Sequence, residues 1–217
     1  MLLPFLEVGA SDAQHSVIWL HGLGADGHDF EPIVAELNLS QPVRFIFPHA
    51  PEMSVTINNG MRMPAWYDIA APQIDQRQDD TGIRGSEKAI IDLIENEIAR
   101  GVSSESIILA GFSQGGAIAL HTALRYHKPL AGIMALSTYL PLADTVENEI
   151  HDANKNTAIF IAHGTYDPVV PLELAVKTQQ QLNKLNCPTE LLNYPMEHSV
   201  CPDEIDAISN WINQRLK

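Results

Sequence analysis

The chain has 217 residues, of which 45% are hydrophobic and 18% charged, a length and balance typical of one folded domain rather than of a disordered chain. Its formal net charge of −14 would repel nucleic-acid phosphates, which argues against a nucleic-acid partner. No apolar run approaches the ~18 residues that span a bilayer, and the N-terminus lacks the basic region of a signal peptide. We therefore expect a cytoplasmic protein without stable membrane insertion. Two cysteines are too few for a disulfide framework.

Short runs rich in β-branched residues alternate along the chain with longer segments of helical period, which predicts βα units on a mostly parallel sheet. The predicted strands are residues 16–20, 43–47, 106–110, 131–136, 157–162 and 189–194. Several of them, such as SIILA and TAIFIA, are apolar at every residue after the first. Continuous apolarity is expected of strands that helices cover on both faces.

Helical period is clearest in residues 84–100, where four isoleucines share one face. Pro171 and Pro202 are placed to begin the last two helices. Residues 48–83 instead contain several prolines, the tripeptide NNG and three methionines, with no clean period. So long an excursion predicts a lid or substrate wall. We therefore predict a single domain, residues 1–217, with an irregular lid-like excursion at about 48–83.

The motif G-F-S-Q-G at residues 111–115 follows the strand SIILA and precedes an alanine-rich helical segment. A G-x-S-x-G in this position is typical of a nucleophile elbow, in which small neighbours let strand and helix approach while the serine hydroxyl projects. Ser113 is therefore the candidate nucleophile, although serine before a helix is also a common N-cap. An elbow on such a sheet predicts an α/β class of structure, the α/β-hydrolase fold, with a mostly parallel central sheet and helices on both faces.

A serine nucleophile needs a base to take its proton and a carboxylate to orient that base. In this fold both follow the serine, first the acid and then the histidine, on loops after strands. Asp167 follows the strand TAIFIA and His198 follows LLNY, so we predict them as orienting acid and general base. Asp144 and Asp152 also lie before the histidine, but neither directly follows a buried strand.

The oxyanion hole requires two backbone N–H groups directed at the developing negative charge. One comes from the residue after the nucleophile, which is Gln114. The turn HGLG at residues 21–24 follows the first predicted strand and is similar to the HG-type turn of esterases. We therefore predict the Leu23 amide as the second donor, on a turn that His21 helps to shape.

Seven segments occur in order along nearly the whole chain: HGLGADGHDFEPIV, FPHAP, VTINNGMRMPAWYDI, GFSQGG, ALSTYLP, HGTYDPVVP and YPMEHSV. Together they resemble the phospholipase/carboxylesterase family of small α/β hydrolases, which includes bacterial carboxylesterases and acyl-protein thioesterases. The resemblance implies Ser113, Asp167 and His198 as a catalytic triad that hydrolyses short- to medium-chain acyl esters without metal or cofactor. Acyl-protein thioesterase or lysophospholipase activity is the alternative. A weak homodimer is also compatible with it.

Two residues depart from the expected family pattern. Glu197 precedes the histidine where a glycine or another small residue is expected, and Thr138 stands where glycine is expected. A carboxylate at position 197 would either act on the neighbouring histidine through its charge or point to solvent. Thr138 is expected to change the shape of the pocket more than the chemistry.

Trp66, Met63 and Val169 are the candidate substrate-binding residues, although aromatic and methionine side chains in the excursion are equally typical of core. His163 ends a strand and is expected to pack or hydrogen-bond locally. Two other functions stay open. One is a lactonase similar to dienelactone hydrolase, for which a cysteine at the elbow would be expected. The other is a non-catalytic protein that holds a small ligand.

Overall fold

The structure, a computed structural model, describes residues 2–216. Its strands are β1 Phe5–Gly9, β2 His15–Leu20, β3 Val43–Pro48, β4 Glu52–Val55, β5 Met61–Pro64, β6 Ile107–Phe112, β7 Gly132–Leu136, β8 Ile159–Gly164 and β9 Thr189–Tyr194. Seven of them form one sheet in the order β1-β3-β2-β6-β7-β8-β9, and β4 pairs with β5 in a separate hairpin. All neighbouring strands of the large sheet run parallel except β1, which pairs antiparallel with β3.

The six predicted strands are all present, with bounds that differ from the prediction by no more than two residues. The sequence did not predict β1. This strand lies at the edge of the sheet, and its residues are half-buried or exposed, so no strong hydrophobic alternation marks it. The antiparallel edge strand leaves the sheet mostly parallel, as predicted.

The α-helices are α1 Asp80–Ala99, α2 Gln114–Arg125, α3 Val146–Glu149, α4 Leu172–Lys184 and α5 Pro202–Arg215. Short 3-10 turns occur at Glu31–Glu36, Thr56–Asn58, Ser104–Ser106 and Asp152–Asn154. Helix α1 begins four residues before the predicted start because the Asp79 side chain accepts a hydrogen bond from the Gly82 amide at 2.9 Å and caps the first turn. Pro171 immediately precedes α4, and Pro202 is the first residue of α5.

The excursion at residues 48–83, in which the sequence shows no clean period, contains some regular structure. It contains the β4–β5 hairpin, whose connection includes the 3-10 turn Thr56–Asn58 and then Asn59, a residue in the left-handed region with φ 54°. Strands of four residues are too short to show a clear period in the sequence. That the chain is one domain with a lid-like excursion stays a prediction.

Helices cover both faces of the sheet, and two hydrophobic clusters result. Successive residues of β2 separate between them: Ile18 lies in the cluster with helices α1, α2 and α4, and Trp19 lies in the cluster with α5. Helix α5 packs so closely that a Cβ atom on Gly132 would lie 2.4 Å from the Trp211 ring. Helices therefore pack on both faces of the sheet, and the loops at the ends of its strands are the segments available for functional residues.

Candidate active site

The predicted site residues follow the carboxyl ends of parallel strands. Ser113 comes directly after β6, Asp167 lies three residues after β8, and His198 lies four residues after β9. Because these strands are parallel, their carboxyl ends meet at one edge of the sheet. The topology therefore brings together residues that are far apart in the sequence.

Ser113 adopts a backbone conformation that L-residues rarely take, with φ 53° and ψ −121°. The surrounding glycines permit this turn. A Cβ atom on Gly111 would lie 2.3 Å from the carbonyl carbon of Gly115, and one on Gly115 would lie 2.4 Å from the Leu20 carbonyl oxygen. The Ser113 amide donates to the Leu136 carbonyl at 2.8 Å, which anchors the turn to β7. These contacts are those of a nucleophile elbow.

Asp167 and His198 form a short hydrogen bond, with 2.6 Å between Asp167 Oδ2 and His198 Nδ1. The Asp167 side chain is completely buried, whereas that of His198 is 17% exposed. The other carboxylate oxygen, Oδ1, accepts from the amides of Val169 at 2.8 Å and Val170 at 2.9 Å. The carboxylate is thus held from both sides, and the histidine keeps its other ring nitrogen for the solvent side of the site.

The Phe112 ring lies against the His198 ring, with 4.7 Å between their centroids, and so places the histidine beside the elbow. Within the described residues, the Ser113 hydroxyl forms no hydrogen bond with another side chain. Catalytic serine–histidine hydrogen bonds are often long before substrate binds and shorten in the complex. The arrangement is compatible with proton transfer from Ser113 to His198.

The turn at residues 21–24 is held by the ring of His21. Its Nε2 accepts from the Ala50 amide at 3.1 Å, so its Nδ1 carries the proton and donates to the Gly22 carbonyl at 2.7 Å. Burial lowers the pKa of His21, which favours this neutral form. A Cβ atom on Gly22 would lie 3.5 Å from Ser113 Cβ, so the turn touches the nucleophile.

Neither the Leu23 amide nor the Gln114 amide donates a hydrogen bond to another residue in the part of the chain that the structure describes. Unpaired amides of this kind, one on a turn and one at the start of a helix, are suited to binding an oxyanion. Both predicted donors are therefore available for that role.

The Gln114 side chain has a structural task that the sequence did not indicate. Its Oε1 accepts from the Trp66 amide at 2.9 Å, and its Nε2 donates to the Tyr67 carbonyl at 2.7 Å. The indole N–H of Trp66 donates to the His21 carbonyl at 2.8 Å. The excursion is thereby tied to the elbow and to the turn. The only feature of the sequence that could have indicated these contacts is the presence of a glutamine directly after the serine.

Trp66 is buried, with 2% of its surface exposed, and this corrects the prediction that it contacts substrate directly. Its ring packs on His21 at 5.2 Å between centroids and supports the turn from within the core. Met63 is half-buried, and its sulfur would lie 3.6 Å from a Cβ atom on Gly24, next to the turn. Val169 is 56% exposed on the Asp167 loop. Met63 and Val169 therefore stay candidates for substrate contact.

None of the predicted site residues lines a groove of about 420 Å³ elsewhere on the surface. Its lining joins the excursion to the loop after β7 and to α4, and includes Gln78, Tyr139, Leu142, Leu174 and Lys177. The Gln78 side chain accepts from the Leu142 amide at 2.8 Å, which fixes the excursion at this point. The excursion and α4 thus line the same groove, and the role of the excursion as a lid or substrate wall stays a prediction.

Thr138 and Glu197, which depart from the expected pattern, have simple environments. The Thr138 hydroxyl donates to the Ser113 carbonyl at 2.7 Å, and its methyl carbon would lie 2.7 Å from a Cβ atom on Gly116. Thr138 therefore braces the elbow. The Glu197 side chain is exposed, and only its backbone packs closely, against Gly164.

One group of metal-ligand types lies near the turn: atoms of Asp26, His28 and His49 are within 4.8 Å of one another. One ring nitrogen of each histidine is already paired. His28 Nδ1 lies 3.0 Å from an Asp26 oxygen, and His49 Nδ1 accepts from the Gly27 amide at 3.1 Å. None of these three residues belongs to the predicted triad or oxyanion hole.

The sheet order and the elbow, together with solved structures of similar fold, define the class of this protein: it is a serine hydrolase with the α/β-hydrolase fold. The model of the Phospholipase/Carboxylesterase family matches residues 3–216, and the chain belongs to that family. It is accordingly a carboxylic ester hydrolase, and the expected fold and family are confirmed.

The similar proteins include the acyl-protein thioesterase 1 of Neurospora crassa, which is 39% identical over 98% of this chain and 91% of its own. The protein of the same name from Gibberella zeae is 36% identical over 99% and 96%. Among solved structures, SOBER1 of Arabidopsis thaliana has a TM-score of 0.89 at 33% identity and covers 94% of this chain and 99% of its own. Acyl-protein thioesterase 2 of Zea mays has a TM-score of 0.85 at 25% identity, covering 99% of both chains.

Proposed function

We propose that this protein hydrolyses acyl thioesters and acyl esters through an acyl-enzyme, with Ser113 as nucleophile, His198 as general base and Asp167 as the orienting acid. The observation that carries the proposal is the 2.6 Å hydrogen bond from a buried carboxylate to a histidine that lies beside a strained serine turn. Nucleophilic acyl transfer requires a serine, a histidine that takes its proton and a carboxylate that orients the histidine.

In the proposed mechanism, Ser113 attacks the acyl carbonyl while His198 takes its proton. The negative charge on the carbonyl oxygen rests on the amides of Leu23 and Gln114. His198 then protonates the leaving thiol or alcohol, and later activates the water that releases the acid. Asp167 stabilises the imidazolium at each of these steps.

The names of the relatives favour the thioesterase, which the sequence put second, over a short-chain carboxylesterase, which it put first. Val169 and Tyr166 support an acyl substrate, since both are more than half exposed on the loop that carries Asp167. Large apolar side chains exposed on a loop of the proposed triad offer an acyl chain a surface on which to bury its methylenes. We propose Met63 and Val169 as contacts of that chain.

The substrate is in either case a small acyl ester or thioester. No helix among residues 2–216 has the length and apolar character needed to cross a membrane. A cytoplasmic location, a weak homodimer and a single domain with a lid-like excursion stay predictions from the sequence.

Paired substrates test the proposed preference. We expect kcat/KM to be higher for an S-acyl thioester than for the matching O-acyl ester, when both are compared at chain lengths from two to about sixteen carbons. Because the thiol is the better leaving group, each rate is divided by its hydroxide-catalysed rate. Ester rates that exceed thioester rates at every length after this correction would contradict the thioesterase.

Ser113→Ala tests the mechanism. We expect a folded variant whose kcat falls by about 10⁶-fold, leaving only what binding and the oxyanion hole contribute. Fluorophosphonate should label the wild type and not the variant. Absence of labelling together with absence of turnover in the wild type would favour the ligand-binding protein. Turnover of cyclic esters alone would favour the lactonase.

A further inference from the structure

His163, the fifth of the six residues of β8, contacts the loop that carries Asp167. Its side chain is completely buried. Its Nε2 lies 2.8 Å from the Val170 carbonyl oxygen, and the same nitrogen lies 3.6 Å from Asp167 Oδ2. The mechanism proposed above does not use this histidine.

The partners of His163 determine where its proton lies. A carbonyl oxygen only accepts hydrogen bonds, so Nε2 carries the proton and donates it to Val170. Nδ1 is buried without a partner in the described residues, and burial lowers the pKa of His163. The ring is therefore neutral, with its N–H edge directed at Val170 and, at longer range, at Asp167.

The hydrogen bond from His163 closes a small ring of contacts around the carboxylate. His163 donates to the carbonyl of Val170, and the amide of Val170 donates to Asp167 Oδ1 at 2.9 Å. Because Oδ1 is fixed in this way, Oδ2 faces His198 at 2.6 Å. An apolar side chain of similar size would avoid the unpaired Nδ1, so packing alone does not explain a histidine here.

We propose that His163 is a positioning residue for Asp167: its N–H holds the 167–170 turn, and the turn aims Oδ2 at His198. This inference rests on the proposed function, in which Asp167 orients the base. Loss of the N–H would let the carboxylate rotate, so that it would stabilise the imidazolium of His198 less.

Three consequences follow for a variant without the donor. Its kcat falls, because the imidazolium forms in the transition state. Its KM hardly changes, because His163 is buried and does not reach substrate. The acid limb of its kcat/KM profile moves to lower pH, because a less stabilised imidazolium gives up its proton more readily.

The test compares His163→Leu with His163→Gln, whose amide nitrogen takes the place of Nε2. We expect kcat to fall between about 10- and 100-fold in the leucine variant, with the acid limb displaced to lower pH. The glutamine variant should keep most of the activity and the wild-type profile. Active-site titration with fluorophosphonate corrects each rate for the folded fraction, and a p-nitrophenyl acyl ester serves as substrate.

His121 provides the matched control, since its side chain is also completely buried, its Nε2 has one partner, Glu87 at 3.2 Å, and its Nδ1 is also unpaired. His121→Leu should lower stability without displacing the acid limb. If His163→Leu does not fold, His163→Asn replaces it, because its shorter amide does not reach the Val170 carbonyl.

Equal rates per titrated site in the wild type and in the variant without the donor would overturn the proposal. The proposal would also be overturned if the glutamine variant lost as much kcat as the leucine or asparagine variant and the acid limb of the kcat/KM profile did not move in any of them. That result would be explained by altered packing alone. A wild type that neither reacts with fluorophosphonate nor hydrolyses the substrate would overturn the proposed function and this inference together. If the wild type is active but replacement of His163 changes neither the rate per titrated site nor the acid limb, only the inference is overturned.

Discussion

Replacing Asp167 by asparagine tests the proposed role of the carboxylate, because the structure dictates how the new amide must orient. Two backbone N–H groups, from Val169 and Val170, point at Oδ1. The asparagine must therefore present its carbonyl oxygen there. Its NH₂ group then faces His198 Nδ1 in place of Oδ2, which is 2.6 Å away in the wild type.

An NH₂ group only donates, so it would force Nδ1 to accept and would move the proton of the neutral imidazole to Nε2. A protonated Nε2 does not take the proton of Ser113. Reversing the amide would leave two buried N–H groups unpaired at about 1–3 kcal/mol each, or about 4 kcal/mol together. The reversed amide is the orientation that returns an acceptor oxygen to His198 Nδ1. Because about 1.4 kcal/mol corresponds to a factor of ten, this orientation is populated to roughly 10⁻³.

We therefore expect Asp167→Asn to lower kcat by about 10³- to 10⁴-fold, with the fold retained. The assay is turnover of an acyl ester, with circular dichroism as the check on folding. Asp152→Asn is the matched control, since Asp152 also lies between serine and histidine in the sequence, but its side chain is 88% exposed and pairs with Lys155. A folded Asp167→Asn variant within tenfold of the wild type would refute the argument from amide orientation.

Two further predictions concern stability. Gly115→Ala should lower the free energy of unfolding in urea by about 3 kcal/mol or more, because its Cβ atom would lie 2.4 Å from the Leu20 carbonyl oxygen. The control, Gly85→Ala in α1, has open space around the new Cβ atom and should raise the free energy of unfolding by about 0.5–1 kcal/mol. Equal stabilities of the two variants would contradict the close packing of the elbow. Glu204 is completely buried, and burial, which outweighs a backbone hydrogen bond from Cys201, raises its pKa from 4.5 to about 8. The native state therefore holds a proton that the unfolded state releases, so this contribution is complete below about pH 4.5 and is lost as pH rises to about 8, up to about 5 kcal/mol. Thermal melts of Glu204→Gln should lack this loss between pH 5 and 9, and parallel curves for variant and wild type would refute it.

Much of the sheet could be predicted because its strands are marked locally. The segment SIILA is apolar after its first residue and is followed by glycines, and these features belong to neighbouring residues. The edge strand β1 and the β4–β5 hairpin lack such a signal, since the first is only half-buried and the second is too short. The start of α1 at Asp80 depended on a side-chain cap that the hydrophobic period does not include.

The candidate site divides in the same way. By itself the sequence determined the elbow at Ser113 and the chain order of acid and base, because strand ends and small residues are properties of neighbours along the chain. Only the tertiary structure placed Asp167 against His198 and turned Trp66 into the core, since each depends on residues distant in the sequence. The same reason applies to His163: its partner is chosen by the path of the following loop, which no local pattern encodes.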